Sequence, residues 1–379
     1  MPNTIEPSTV ELLATGDLGP NRTDPQSIFA LASSRLRNGD IVLGQLEPVL
    51  SDRGTPLPQA RLAMRSPPAT ARAIRNAGFN IVSIAGNHCM DWGNEGLSDT
   101  IENLRASEMR VIGAGKDSDA AAEFSILDRN GTQVALLAYN SIVPMEYEAQ
   151  ANRPGCAPLR GFTHYEQIEH DQPGTPSRVH SFANPTDLEA LRSAIADARS
   201  RADAVVVSVH WGIHFVPAVI ADYQREIAHA AIDAGADVII GHHPHILKAL
   251  EIYRGKVIFY SLGNFALDPP TAFDRNLRGK ASHREIRALN VDWDDDGEHI
   301  VLRASAMAVA ARCVFSGGQL KRVSALPVYI NRDSQPEFVR SDDPRFAKVA
   351  DFLAKSTADA GLNGIFSVQG DELVIWSGI

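Results

Sequence analysis

The strongest constraint on the fold is a rhythm. Short, β-branched apolar runs alternate with stretches that carry helix punctuation. VELLAT (10–15), IVLGQL (41–46), NIVSIA (80–85), QVALLA (133–138), AVVVSV (204–209) and DVIIG (237–241) are bounded by Gly or polar residues and predict buried strands. Between them, Asp24-Pro25 and Asn184-Pro185 mark helix starts, and Ser66-Pro67 opens a helix that stops at Gly78. Strands apolar on both faces need cover on both faces, which crossover helices supply. The pattern predicts an α/β chain with a largely parallel sheet.

Two regions break the rhythm. Residues 141–184 are rich in Pro, Gly, His and Glu and long for a structureless loop, which predicts an insertion acting as a lid or specificity element. Beyond residue 255, KVIFY, EIRALNVDW, HIVLRASAM and RVSALPVYI predict strands, with DDDG (294–297) a hairpin turn. A helix over 344–360 and a strand over 373–376 close the chain. The first half is expected to be parallel and the C-terminal sheet more antiparallel, packed into one body spanning 1–379.

Composition narrows the chemistry. Against 46 Asp+Glu stand 36 Lys+Arg, a net charge of −10 that disfavours nucleic acid as a partner, since such binding is driven by cations displacing counterions. Three scattered cysteines without a CxxC pair exclude a zinc ribbon, so metal ligands must be His, Asp, Glu or Asn. The N-terminus has no leader pattern and no apolar run approaches about 18 residues. The expectation is a cytoplasmic protein without a membrane span, acting on a small-molecule or oligomeric anionic substrate, its oligomeric state left open.

Polar residues suited to metal binding sit just past five predicted strands. Gly16-Asp17 follows the first and Glu47 the second; Asn87-His88 follows the third, with Asp91 three residues on. AVVVSV leads into His210-Trp211-Gly212-Ile213-His214, and DVIIG into His242-His243-Pro244-His245. In open α/β sheets, ligands gather outside the carboxyl ends of the strands. Each element has a bland alternative: a turn acid, a hydrogen-bonded turn histidine, a satisfied core histidine. Together they favour an N/O site suited to Zn, Mn, Fe or Co.

The motifs run in a fixed order: GD, QLEPVL, GFNIVSIAGNHCMDWGNEGLSDT, HWG, GADVIIGHHPH and VIFYSLGNFALD. This order resembles the CapA family, capsule-synthesis-type proteins related to poly-γ-glutamate synthesis and built on the calcineurin-like metallophosphoesterase fold, over about residues 10 to 268. The resemblance implies a four-layer α-β-β-α sandwich, with strands of 285–379 completing the second sheet. It implies Asp17 as a ligand of a first metal, Glu47 as a bridging carboxylate, Asn87 and His210 on a second metal, and His243 and His245 completing the pair. His88 would then act as general acid, oriented by Asp91, with a metal-activated hydroxide as nucleophile. Two divalent transition metals are implied, or one.

The function implied is a metal-dependent hydrolase of a small anionic phosphoester or a γ-glutamyl-type amide. The alternative is a non-catalytic accessory protein of poly-γ-glutamate or capsule-type polymer synthesis. Three departures stand out. Asp17-Leu18-Gly19 replaces the Asp-x-His of ordinary metallophosphoesterases, His214 stands where the family usually has an acid, and Gln45 where it prefers Asn. His214 and His242 are therefore further candidates for the metal or for a role behind its ligands. Asn264 either orients a ligand histidine or closes a tight turn. Arg22, Arg53, Arg153 and Arg160 are candidates for gripping an anion or are solvated surface residues.

Overall fold

A computed structural model describes residues 9–60, 62–172, 174–269, 281–289 and 303–378. The strands follow in chain order. First come β1 (Thr9–Gly19), β2 (Ile41–Leu46), β3 (Ile81–Ser83) and β4 (Arg110–Ile112). A second set comprises β5 (Ser125–Arg129), β6 (Thr132–Asn140), β7 (Ala204–His210), β8 (Val238–His242), β9 (Leu250–Tyr253) and β10 (Lys256–Phe259). Then follow β11 (Asn264–Leu267), β12 (Met307–Ser316), β13 (Gln319–Ile330), β14 (Pro336–Phe338), β15 (Ser367–Gln369) and β16 (Glu372–Ser377). All six predicted strands of the first two-thirds are present.

They form two large sheets. A ten-stranded sheet runs β15-β16-β13-β12-β1-β2-β3-β4, with β11 added to β1 and β14 to β13; a six-stranded sheet runs β9-β10-β8-β7-β6-β5. The pairs β1–β2, β2–β3, β3–β4, β6–β7, β7–β8 and β8–β10 are parallel. Alternate residues of one strand serve two cores, which is why the runs read as continuously apolar. Leu12, Ala14, Leu43, Val206 and Ile240 meet between the sheets. Leu13 and Val42 instead face the outer helices α1 (Thr70–Ala77) and α2 (Gly93–Ala106), and Val205, Val207 and Ile239 face α3 (Pro185–Arg201) and α4 (Asp222–Asp233). The result is the expected α-β-β-α layering.

Helix starts follow the punctuation. Asn184 caps α3, its side chain accepting from the amides of Thr186 and Asp187. Gly78, at φ 126°, ends α1. Pro67 opens a turn rather than the helix, which begins at Thr70. Asp24-Pro25 opens only a 3-10 turn over Pro25–Phe29, followed by the short helix Ser33–Leu36.

Three expectations are corrected. The described part of HIVLRASAM is a 3-10 turn over Arg303–Ala306, and the strand there begins only at Met307. The C-terminal strands do not complete the second sheet; β12 pairs antiparallel with β1 and extends the first, so β1 has parallel β2 on one side and, on the other, antiparallel β12 followed by the short parallel β11. The start of EIRALNVDW is helical, within Ala281–Ala288, because Ile286 is its sole β-branched residue among strong helix formers. The DDDG turn lies outside the described residues. The closing helix is α5 (Pro344–Asp359) and the closing strand is β16. Within 141–184, the first part is packed into the body, with Tyr147, Cys156 and Leu159 fully buried. The second part forms a hairpin of Gly161–Glu166 with Arg178–Ala183, exposing Phe162 and Tyr165. No helix among the described residues is long and apolar enough to cross a membrane.

Candidate metal centre

The carboxyl ends of β1, β2, β3, β7 and β8 bring the strand-end residues to one edge of the sandwich. Asp17, Glu47 and His210 each offer a ligand atom within 4.8 Å of the other two, and all three are buried. From the first sheet come Asp17, Glu47 and Asn87; from the second come His210, His242, His243 and His245. Asn87 Oδ1 lies 2.7 Å from His210 Nε2, and His243 Nδ1 lies 3.1 Å from that nitrogen. His245 bridges the two acids, its Nδ1 3.2 Å from Asp17 and its Nε2 3.5 Å from Glu47.

Local backbone explains how two sheets approach so closely. A Cβ on Gly16 would stand 1.9 Å from the Gly263 carbonyl oxygen, so only glycine admits that turn beside β1. The Asp17 amide donates to the same carbonyl at 3.3 Å. In the His242–His245 run, His243 (φ 95°) and His245 (φ 57°) occupy left-handed backbone on either side of Pro244. Such conformations are costly for residues with side chains and persist where the surroundings enforce them.

The site's polar atoms are under-satisfied. Both carboxylate oxygens of Asp17 and of Glu47, Nδ1 of His210, and both ring nitrogens of His242 are buried with no partner in hydrogen-bonding geometry among the described residues. Burying carboxylates this way is expensive unless a positive charge joins them. With an imidazole beside each acid, the donor set fits a divalent transition cation.

Electrostatics agree. Burial drives His210, His214 and His243 toward the neutral, ligand-competent form, and His242 down to about 4. Burial would do the same to His245, but its close contacts with the charged Asp17 and Glu47 overcome it and raise it well above the usual value. Burial opposes the charge on Glu47, yet the surrounding His210, His245 and His88 hold its carboxyl well below the carboxylate range.

His88 is held differently. Its Nδ1 meets Asp91 Oδ2 at 2.7 Å, and its Nε2 points to Glu47 at 3.8 Å. Since a carboxylate only accepts, Nδ1 carries the proton and Nε2 faces the centre.

The other candidates are placed as follows. His214 lies against His243 with ring centroids 3.8 Å apart and the planes tilted by 32°. His242 Nδ1 lies 3.7 Å from Asp17, on the side where β1 offers no imidazole of its own. Asn264 Oδ1 meets His245 Nδ1 at 2.8 Å, while the Ser261 hydroxyl serves the turn by donating to Ile246. Gln45 is buried and donates to the Leu46 and Ala85 carbonyls. Each of the four arginines is committed to a carboxylate: Arg22 to Asp268, Arg53 to Asp99, Arg153 to Glu148 and Arg160 to Asp187.

Two residues escape sequence reasoning. Arg65, stacked 3.9 Å over Trp92, lines a cleft of about 280 Å³ with Gly19, Pro48 and Met64, next along the strand ends that carry Asp17 and Glu47. Tyr147 reaches Asp91 from the insertion. Neither lies in a motif; only the fold brings them in.

Known proteins resemble this chain over most of its length. The family model described as bacterial capsule synthesis protein PGA_cap matches residues 8–269. The PGA biosynthesis protein CapA of Bacillus subtilis is 32% identical over 64% of this chain and 57% of that protein. The capsule biosynthesis protein CapA of Bacillus anthracis is 31% identical over 65% of this chain and 55% of that one. A probable polyglutamine synthesis accessory protein of Mycobacterium tuberculosis is 28% identical over 60% and 56%. The chain thus spans a little over half the length of these relatives.

Proposed function

The chain belongs to the PGA_cap family of bacterial capsule synthesis proteins, and from that premise we propose that it is a metal-dependent hydrolase whose centre is built on Asp17, Glu47, Asn87, His210, His243 and His245. One observation carries the reading. The carboxylates of Asp17 and Glu47 are buried without aligned hydrogen-bond donors beside His210 and His242, which burial pushes toward the neutral form, while His88, oriented by its own carboxylate, stands next to them. A purely structural metal site has no need of that extra imidazole.

Asp17, Glu47, Asn87, His210, His243 and His245 would hold one or two cations of Zn, Mn, Fe or Co, which would supply Lewis-acid polarisation of the scissile bond and water acidified toward neutral pH. The protein's own residues do the rest. His88 keeps Nδ1–H on Asp91, so Nε2, aimed at the centre, is the nitrogen that takes up a second proton and would hand it to the leaving group. Burial, Asp91 and Glu47 act on that imidazole together, and the two acids prevail over burial to raise its basicity, which favours loading the proton. Arg65, in the adjoining cleft, is suited to an anionic substrate, either a phosphoester or a γ-glutamyl-type amide.

The test is metal content by mass spectrometry together with turnover of an aryl phosphate and a γ-glutamyl anilide. Asp17→Ala and His243→Ala are expected to lower bound metal. His88→Ala is expected to keep metal and lose turnover by a factor on the order of 10²–10⁴. Metal binding with no turnover of either class would favour the second reading, an accessory role in polymer synthesis, which the name of the Mycobacterium tuberculosis relative supports.

A further inference from the structure

We infer that Tyr147 is a positioning residue for the general acid, holding Asp91 so that Asp91 can hold His88. The inference rests on the hydrolase reading for its catalytic meaning, and on geometry alone for the contact.

Tyr147 is fully buried, and its hydroxyl donates to Asp91 Oδ1 at 2.8 Å. The other oxygen, Oδ2, accepts from the Met64 amide at 2.7 Å and from His88 Nδ1 at 2.7 Å. A carboxylate turns easily about its last side-chain bond, because that torsion has broad wells. Donors on one oxygen alone leave the plane free to swing; donors on both oxygens fix it. Tyr147 supplies the only side-chain donor to Oδ1 among the described residues. The plane of Asp91 sets the plane of the His88 ring, and hence the direction of its Nε2.

The tyrosine is itself held firmly. Its amide donates to Pro144, and its carbonyl accepts from the Cys156 amide at 2.9 Å. A Cβ on Gly155 would lie 2.4 Å from that carbonyl, so the two backbones run in contact. Burial, then the Asp91 charge, keeps the phenol protonated well beyond neutral pH, so it remains a donor. The first part of the 141–184 insertion is therefore a fixed brace behind the reaction centre.

The experiment uses Tyr147→Phe in the full-length protein, with histidines labelled in ¹⁵N. Without added metal or substrate, the His88 Nδ1 proton should lose intensity or move upfield, and the ring nitrogens should report a mixed tautomer. With metal and a substrate that the wild type turns over, kcat should fall on the order of 10-fold, the scale typical of residues that orient active groups from behind, with KM nearly unchanged. Should Tyr147→Phe fail to fold, 3-fluorotyrosine at position 147 keeps the packing and strengthens the donor, and the His88 signals must move. A folded Tyr147→Phe with His88 signals identical to wild type overturns the inference, as do unmoved signals in the fluorinated protein. If the wild type turns over neither substrate class, the hydrolase reading fails, while the His88 signals still decide whether Tyr147 orients this imidazole.

Discussion

Lys248 follows the histidine cluster by three residues and is buried, its ammonium donating to the Val219 carbonyl at 2.9 Å. Burial lowers its pKa from 10.5 to about 7. The unfolded chain therefore holds a proton that the folded chain has released between about pH 7 and 10.5. Stability linked to this residue must rise as pH climbs through that window; below it both states are charged and the cost of burying the charge is fully present. In urea titrations from about pH 6 to 9.5, wild type should gain on Lys248→Met by a few kcal/mol, on the order of 1.4 kcal/mol for each pH unit crossed inside the window. A pH-independent difference would mean that the ammonium is solvated. At this scale the sequence was informative about residue type and poor on partners. Asp17, Glu47 and the histidines announced themselves by standing past strand ends. The commitment of Arg22 to Asp268 could not be read, because its acid lies 246 residues away.

At the scale of elements, the site depends on β1 passing the turn before β11 without a side chain between them. Asp17 is paired with Asn264 in the parallel register of these two strands, and Asn264 in turn touches His245. Gly16→Ala would place a methyl against the Gly263 carbonyl, where backbone must move because no flexible side chain can yield. The expected cost is about 1–3 kcal/mol of stability from overpacking, read as a lower urea midpoint, with weaker metal binding because Asp17 and Asn264 shift together. Unchanged metal affinity in Gly16→Ala would show that the turn relaxes away from the ligands. The strands themselves were legible because apolar runs bounded by polar residues mark both ends. The sheet each would join was not. β12 lies beyond the strand expected at HIVLRASAM, and nothing local in MAVAARCVFS, which does not alternate, marks it as the partner of β1 at the far end of the chain.

For the whole molecule, the proposed ligands divide between the sheets: Asp17, Glu47 and Asn87 on one, and His210, His243 and His245 on the other. Between them lies the shared apolar core of Leu12, Leu43, Val206 and Ile240. A cation bound to both groups ties together layers otherwise joined by packing, chain connections and a few hydrogen bonds such as Asn87–His210 and Asn264–His245, at the edge where buried carboxylates weaken that packing. Only the folded sandwich brings the two groups together, so binding draws the equilibrium toward the native state as RT ln(1 + [L]/Kd). At a free metal concentration one hundred times Kd this is about 2.7 kcal/mol. Calorimetric unfolding in excess chelator and then in Mn or Zn should show the transition rising as one cooperative peak, because the tie spans both sheets. His243→Ala should lose most of the rise. A metal-induced shift confined to one of two resolved transitions would instead place the ligands in a single layer. The departure from Asp-x-His also makes sense at this scale: where β1 offers no imidazole of its own, His242 and His245 stand against Asp17 from the opposite sheet.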